Sequence, residues 1–144
     1  MKIFLVEDKL EDIQGILDYC EEHDHTTEVC QFKDTIARLE SFDPDIIILD
    51  LQNNTEEYDG CPALDHLWKS NFRPTCVFSG QIVEALIDEA DYKSPLVCFV
   101  TKGDEKPVIQ FIEEIASFAV SISAMRHETN NAMRKSFEFL ELAK

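Results

Sequence analysis

Residues 46–50 read Ile46-Ile47-Ile48-Leu49-Asp50, four large aliphatics closed by a carboxylate. A run without polar alternation is the pattern of a strand buried on both faces, as the central strands of a parallel α/β sheet are. A carboxylate at its C-terminal end falls on the sheet edge where open α/β folds keep their ligands. Three other apolar runs also end in polar groups. Ile3-Phe4-Leu5-Val6 ends in Glu7-Asp8, Cys76-Val77-Phe78 in Ser79, and Leu96-Val97-Cys98-Phe99-Val100 leads through Thr101 to Lys102. In a parallel sheet these four ends converge, bringing three carboxylates, a hydroxyl and an amine to one pocket.

Working outward, helical and extended segments alternate along the chain. The first strand, Lys2 to Val6, precedes Ile13, Ile16, Leu17 and Cys20, spaced as the apolar stripe of an amphipathic helix. A second strand is predicted around Glu28 to Phe32. The next helix carries Ile36, Leu39 and Phe42 and stops before Asp43-Pro44, because proline disfavours helix at the residue before it. The third strand is read as Asp45 to Leu51, followed by an acidic loop from Gln52 to Gly60 and a helix with Ala63, Leu64, Leu67 and Trp68. Arg73-Pro74 opens the fourth strand, Val83, Leu86, Ile87 and Ala90 mark a short helix, and Ser94-Pro95 opens the fifth strand. Lys102-Gly103-Asp104 is expected to start the last helix of the core. Such uninterrupted βα units predict a doubly wound, five-stranded parallel sheet of the α/β class. The sheet domain should occupy residues 1–117, with a helical extension over 118–144. Ile115, Phe118, Ile122 and Met125 share a face there, then Met133, Phe137 and Leu140. The heptad is too imperfect for a coiled coil. The extension is expected either to form a homodimer face or to fold back on the domain.

The chain has 144 residues, a length for one domain with a proper core. Its formal net charge of −16 argues against direct nucleic-acid binding, which needs a basic face. It suits cations and a partner with a basic surface. The five cysteines include no CxxC pair, so a zinc site is not expected and the thiols fit a reducing compartment. With no signal peptide and no apolar stretch of membrane-spanning length, a cytoplasmic protein is expected.

The set Glu7-Asp8, Asp50, Ser79 and Lys102, with Phe99 three residues before the lysine, resembles the active site of response-regulator receiver domains of two-component signalling. The likeness covers about residues 1 to 117 and is nearest the single-domain chemotaxis type. It implies a flavodoxin-like (βα)5 fold and a phosphoryl group accepted by Asp50 from a phosphohistidine on a histidine kinase or a histidine phosphotransfer protein. It also implies Ser79 and Phe99 as the switch pair, and output through contact with a downstream protein target. A phosphoryl group entering an acidic pocket needs a divalent cation, and hard oxygen ligands favour Mg2+. Asp8 and Asp50 would each supply a ligand, the Gln52 carbonyl a third, and Glu7 would act through water. Asp50 needs positioning more than activation, and Lys102 offsets charge on the transferring group.

Taken singly, each residue has a structural role open to it: Asp50 as a strand-end cap, Asp8 as N-cap of the first helix, Lys102 as an ion-pair partner of Asp50, Phe99 as core. Two other functions compete. A degenerate receiver would bind partners or dimerise without phosphorylation, and its mark would be a missing acid or lysine. A phosphatase of the haloacid-dehalogenase type would carry a second Asp two residues after the nucleophile, where Gln52 stands here. Receivers usually have Pro after the lysine, whereas Gly103 follows here, which predicts a trans bond or a more mobile loop.

Overall fold

The computed structural model describes residues 1–31, 35–50, 73–80 and 96–118, together with the single positions 121, 128, 132 and 135. The predicted helices after the third and fourth strands, and most of the 118–144 extension, lie outside the described residues. Five strands, β1 (Lys2–Val6), β2 (Thr26–Cys30), β3 (Ile46–Leu49), β4 (Thr75–Ser79) and β5 (Val97–Thr101), form one sheet in the order β2-β1-β3-β4-β5. Every pairing is parallel. The described helices are α1 (Gln14–Glu22), α2 (Thr35–Phe42) and α3 (Lys106–Ala116), with a 3-10 turn at Leu10–Asp12 before α1.

The unbroken apolar runs are explained by a core on each side of the sheet. Ile3, Leu5, Ile46, Ile48, Cys76 and Phe78 pack with Ile13, Ile16 and Cys20 and with Val108, Phe111, Ile112 and Ile115 of α3. Phe4, Val6, Ile47, Leu49 and Val77 point the other way, towards Cys30 and Leu39. Alternate residues of one strand thus serve opposite cores, as the period-two geometry of a strand requires. Truncating any of the central aliphatics, Ile48→Ala for instance, removes about 2–5 kcal/mol.

Three expectations need correction. The second strand begins at Thr26, two residues earlier than read, because the Thr26 N–H donates to the Met1 carbonyl at 2.9 Å and registers Thr26 against Lys2. Asp8 is not the N-cap of the first helix: α1 starts after Ile13, which makes no side-chain cap, and the 3-10 turn starts after Lys9. The last helix starts at Lys106 rather than at the lysine turn. There Asp104 Oδ1 accepts the Lys106 N–H at 3.0 Å, and Pro107 sits in the first turn, where its missing N–H costs nothing. No helix among the described residues is long and apolar enough to cross a membrane.

Candidate functional site

Register carries the chemistry to one edge. Val6 and Leu49 are partners across β1 and β3, so Glu7 and Asp50, the next residues of each strand, emerge side by side. Their backbones stay in the ladder: Glu7 N–H donates to Cys30 O and Asp50 N–H to Val6 O, each at 3.1 Å. On the far side Ser79 registers with Thr101, and the Lys102 N–H donates to the Ser79 carbonyl at 2.9 Å. Lys102 is therefore fixed at its backbone while its side chain reaches across the strand ends.

The reach ends on acids. Lys102 Nζ lies 2.6 Å from Glu7 Oε2, 2.8 Å from Asp50 Oδ2 and 3.2 Å from Asp12 Oδ2. Glu7 and Asp50 are only 2% and 4% exposed, so both charges must be met by the protein rather than by water. The other Glu7 oxygen accepts the N–H groups of Asp8 and Lys9, at 3.2 Å each. Burial pushes the Glu7 carboxyl up to about 7; Lys102 pulls it down, but Asp50 and Asp8 add to the rise. Burial also pulls the Lys102 ammonium down, yet its bonds to Asp50 and Glu7 outweigh this and hold it above the usual lysine value. One ammonium is thus shared among three carboxyls.

Glu7, Asp8 and Asp50 each offer an oxygen, and these oxygens lie within 4.8 Å of one another. An all-oxygen donor set of this size fits a hard divalent cation. Ser79 is fully buried, and its Oγ makes no hydrogen bond among the described residues. A buried hydroxyl without a partner costs about 1–3 kcal/mol, a cost usually kept for a role in another state. Phe99 is half-buried against the cluster of Phe4, Val6 and Val77. The Lys102–Gly103 bond is trans, and Gly103 has φ +125°, a conformation open to glycine and closed to proline.

The structure thus brings Glu7, Asp8, Asp50, Ser79 and Lys102 to one edge, with Phe99 on the strand leading to Lys102. Gln52, expected to ligate through its carbonyl, lies outside the described residues. Sequence reasoning missed Asp12, the third carboxylate on Lys102. The signal available was a further acidic pair, Glu11-Asp12, three and four residues after Asp8 and just before the apolar stripe that begins at Ile13.

No protein-family model matches the sequence, and no curated protein matches it. Solved structures do. The phosphorylated cyanobacterial phytochrome response regulator RcpA is 25% identical with a TM-score of 0.61, over 83% of this chain and 94% of that one. The chain has the receiver fold. The BeF3-activated N-terminal receiver domain of Klebsiella pneumoniae RstA superposes on it with a TM-score of 0.59 at 18% identity, over 80% of this chain and 97% of that one. The N-terminal domain of the nisin resistance regulator NsrR, a lantibiotic response regulator, gives 0.62 at 17% identity over 82% and 97%. The strand order β2-β1-β3-β4-β5 is the flavodoxin-like order expected for receivers, whose ligand edge lies at the strands' C-terminal ends. The acids and the lysine lie on that edge.

Proposed function

We propose that this receiver is a phosphoacceptor: Asp50 takes a phosphoryl group from a phosphohistidine on a histidine kinase or histidine phosphotransfer protein, and the modified site changes a protein-binding surface. The observation that carries the reading is the meeting of Asp50 with Lys102, at 2.8 Å, beside the acidic trio Glu7, Asp8 and Asp50. Asp50 Oδ attacks phosphorus, an O–P bond forms, the P–N bond to the imidazole breaks, and the imidazole leaves with its electron pair. Glu7, Asp8 and Asp50 would hold Mg2+, which when bound supplies the positive charge that lets a phosphoryl group approach acids. Lys102 then offsets charge on a phosphoryl oxygen. The Ser79 hydroxyl, without a partner among the described residues, donates to another, and Phe99 follows the strand end as it shifts. Output passes to a protein target, through the face that changes.

Intact mass after incubation with magnesium and acetyl phosphate tests this, with Asp50→Ala alongside. A gain of ~80 Da in the wild type, lost in the variant, is expected. An unmodified wild type that also stays unmodified with a panel of phosphorylated histidine phosphotransfer proteins would favour a binding module that works without phosphorylation.

A further inference from the structure

The β5–α3 loop packs at two points, on the 3-10 turn before α1 and on the first turn of α1 itself. Lys102 Nζ meets Asp12 Oδ2 at 3.2 Å, and Glu105 lies over Gly15, where a Cβ would come within 1.8 Å of Glu105 Oε2. Glycine at position 15 is thus what lets the loop come this close. Asp12 differs from the other two partners of Lys102. It is about one-third exposed and stands outside the trio whose oxygens converge within 4.8 Å. The backbone of Lys102 is pinned to Ser79, so the ammonium moves only by rotation of its own side chain.

We propose that Asp12 is a positioning residue for Lys102, the carboxylate that keeps the ammonium when a divalent cation engages Glu7 and Asp50. The proposal rests on the cation-dependent phosphoacceptor role of Asp50. The ammonium divides its bonds among Glu7, Asp50 and Asp12. A cation competes with it for the first two and not for the third. Without Asp12 the displaced ammonium has no third carboxylate partner among the described residues, so it stays on Glu7 and Asp50 and opposes the cation. With Asp12 it waits one side-chain rotation from a group on Asp50.

A double-mutant cycle reads this out through magnesium affinity by isothermal titration, in wild type, Asp12→Asn, Lys102→Gln and the double variant. The expected result is a loss of magnesium affinity in Asp12→Asn that is about two- to fivefold greater with Lys102 present than with Gln in its place. Asp12→Glu should restore most of it. Equal losses in both backgrounds would reduce Asp12 to a general surface charge and overturn the proposal. A second measurement needs no metal: the Lys102 Cε–Hε NMR resonance in the cation-free protein should move in Asp12→Asn. An unmoved resonance overturns the proposal whether or not magnesium binds. Should wild type bind no magnesium while the resonance moves, the cation role fails and the Asp12–Lys102 contact stands without it, which also overturns the positioning role.

Discussion

The two ends of the sheet handle buried charge in opposite ways. At the N-terminal ends of the strands, Arg73 is 2% exposed, with Nε donating to the Pro44 carbonyl at 3.0 Å and its guanidinium paired with Asp43. The Lys2 N–H donates to Asp45 Oδ2 at 2.9 Å, and Lys2 Nζ to Phe42 O at 3.0 Å. Cations and acceptors are matched there, and the groups join the starts of β1, β3 and β4. At the C-terminal ends, among the described residues, a single ammonium is set against Glu7, Asp12 and Asp50, with Asp8 close by and a hydroxyl left over. A matched end contributes stability; a mismatched end holds the fold at a cost and leaves groups ready for a ligand. Removing a side chain should therefore have opposite signs at the two ends.

The largest effect is expected at the matched end. Arg73→Ala should lose about 2–3 kcal/mol in urea unfolding, from two donors to buried or bridging acceptors and the packing of a buried stem. Asp43 is 58% exposed, so water takes over its charge and the loss stays below that of breaking a fully buried pair. An Arg73→Ala protein as stable as wild type would break the contrast.

Next is Glu7→Gln at the mismatched end. The folded carboxyl titrates at about 7 against an ordinary 4.5, so its contribution to stability is complete below 4.5 and is lost as pH climbs through 7. Gln has no charge to lose. In chelator, Glu7→Gln should be about 1–3 kcal/mol more stable than wild type at pH 8, the gap closing towards pH 4.5. A gap that widens on acidification would reverse the assignment.

Smaller again, Ser79→Ala deletes a buried hydroxyl that makes no hydrogen bond among the described residues. It should leave the unmodified protein unchanged or up to about 1 kcal/mol more stable, measured by thermal unfolding. A clear loss of stability would mean that the hydroxyl is already paired. The smallest effect sharpens the matched end. Burial, then the neighbouring N-terminal ammonium at 3.0 Å from Nδ1, lowers the His25 pKa. A lowered histidine contributes stability above its ordinary 6.5 and loses it as pH falls through the folded value. His25→Gln should flatten the acid limb of the stability profile below that pH, leaving the alkaline side to Glu7.

What was legible in the sequence is what depends on burial. Ile46-Ile47-Ile48-Leu49 can be satisfied only between two cores, and a parallel sheet then obliges the residues after each run to meet. The positions of Glu7, Asp50, Ser79 and Lys102 at one edge follow from that alone. Less was legible where a single backbone bond decides. The Thr26 N–H to Met1 bond moved β2 by two residues, and no side-chain pattern announces it. Asp12 was hidden for a related reason: it sits in a 3-10 turn ahead of Ile13, where the apolar stripe begins, and such a turn carries no stripe of its own. The start of α3 was misread because Asp104 accepts the Lys106 N–H and so fixes the first residue of the helix four positions after Lys102.

Gly103 gives the loop after the lysine a conformation of its own. Its φ of +125° cannot be reached by a ring that holds φ near −65°. Proline, usual at this position in receivers, is therefore not one substitution away. Gly103→Pro would require the neighbouring backbone to be redrawn first, so the reach of Lys102 to the acids depends on a loop conformation that only glycine takes up readily.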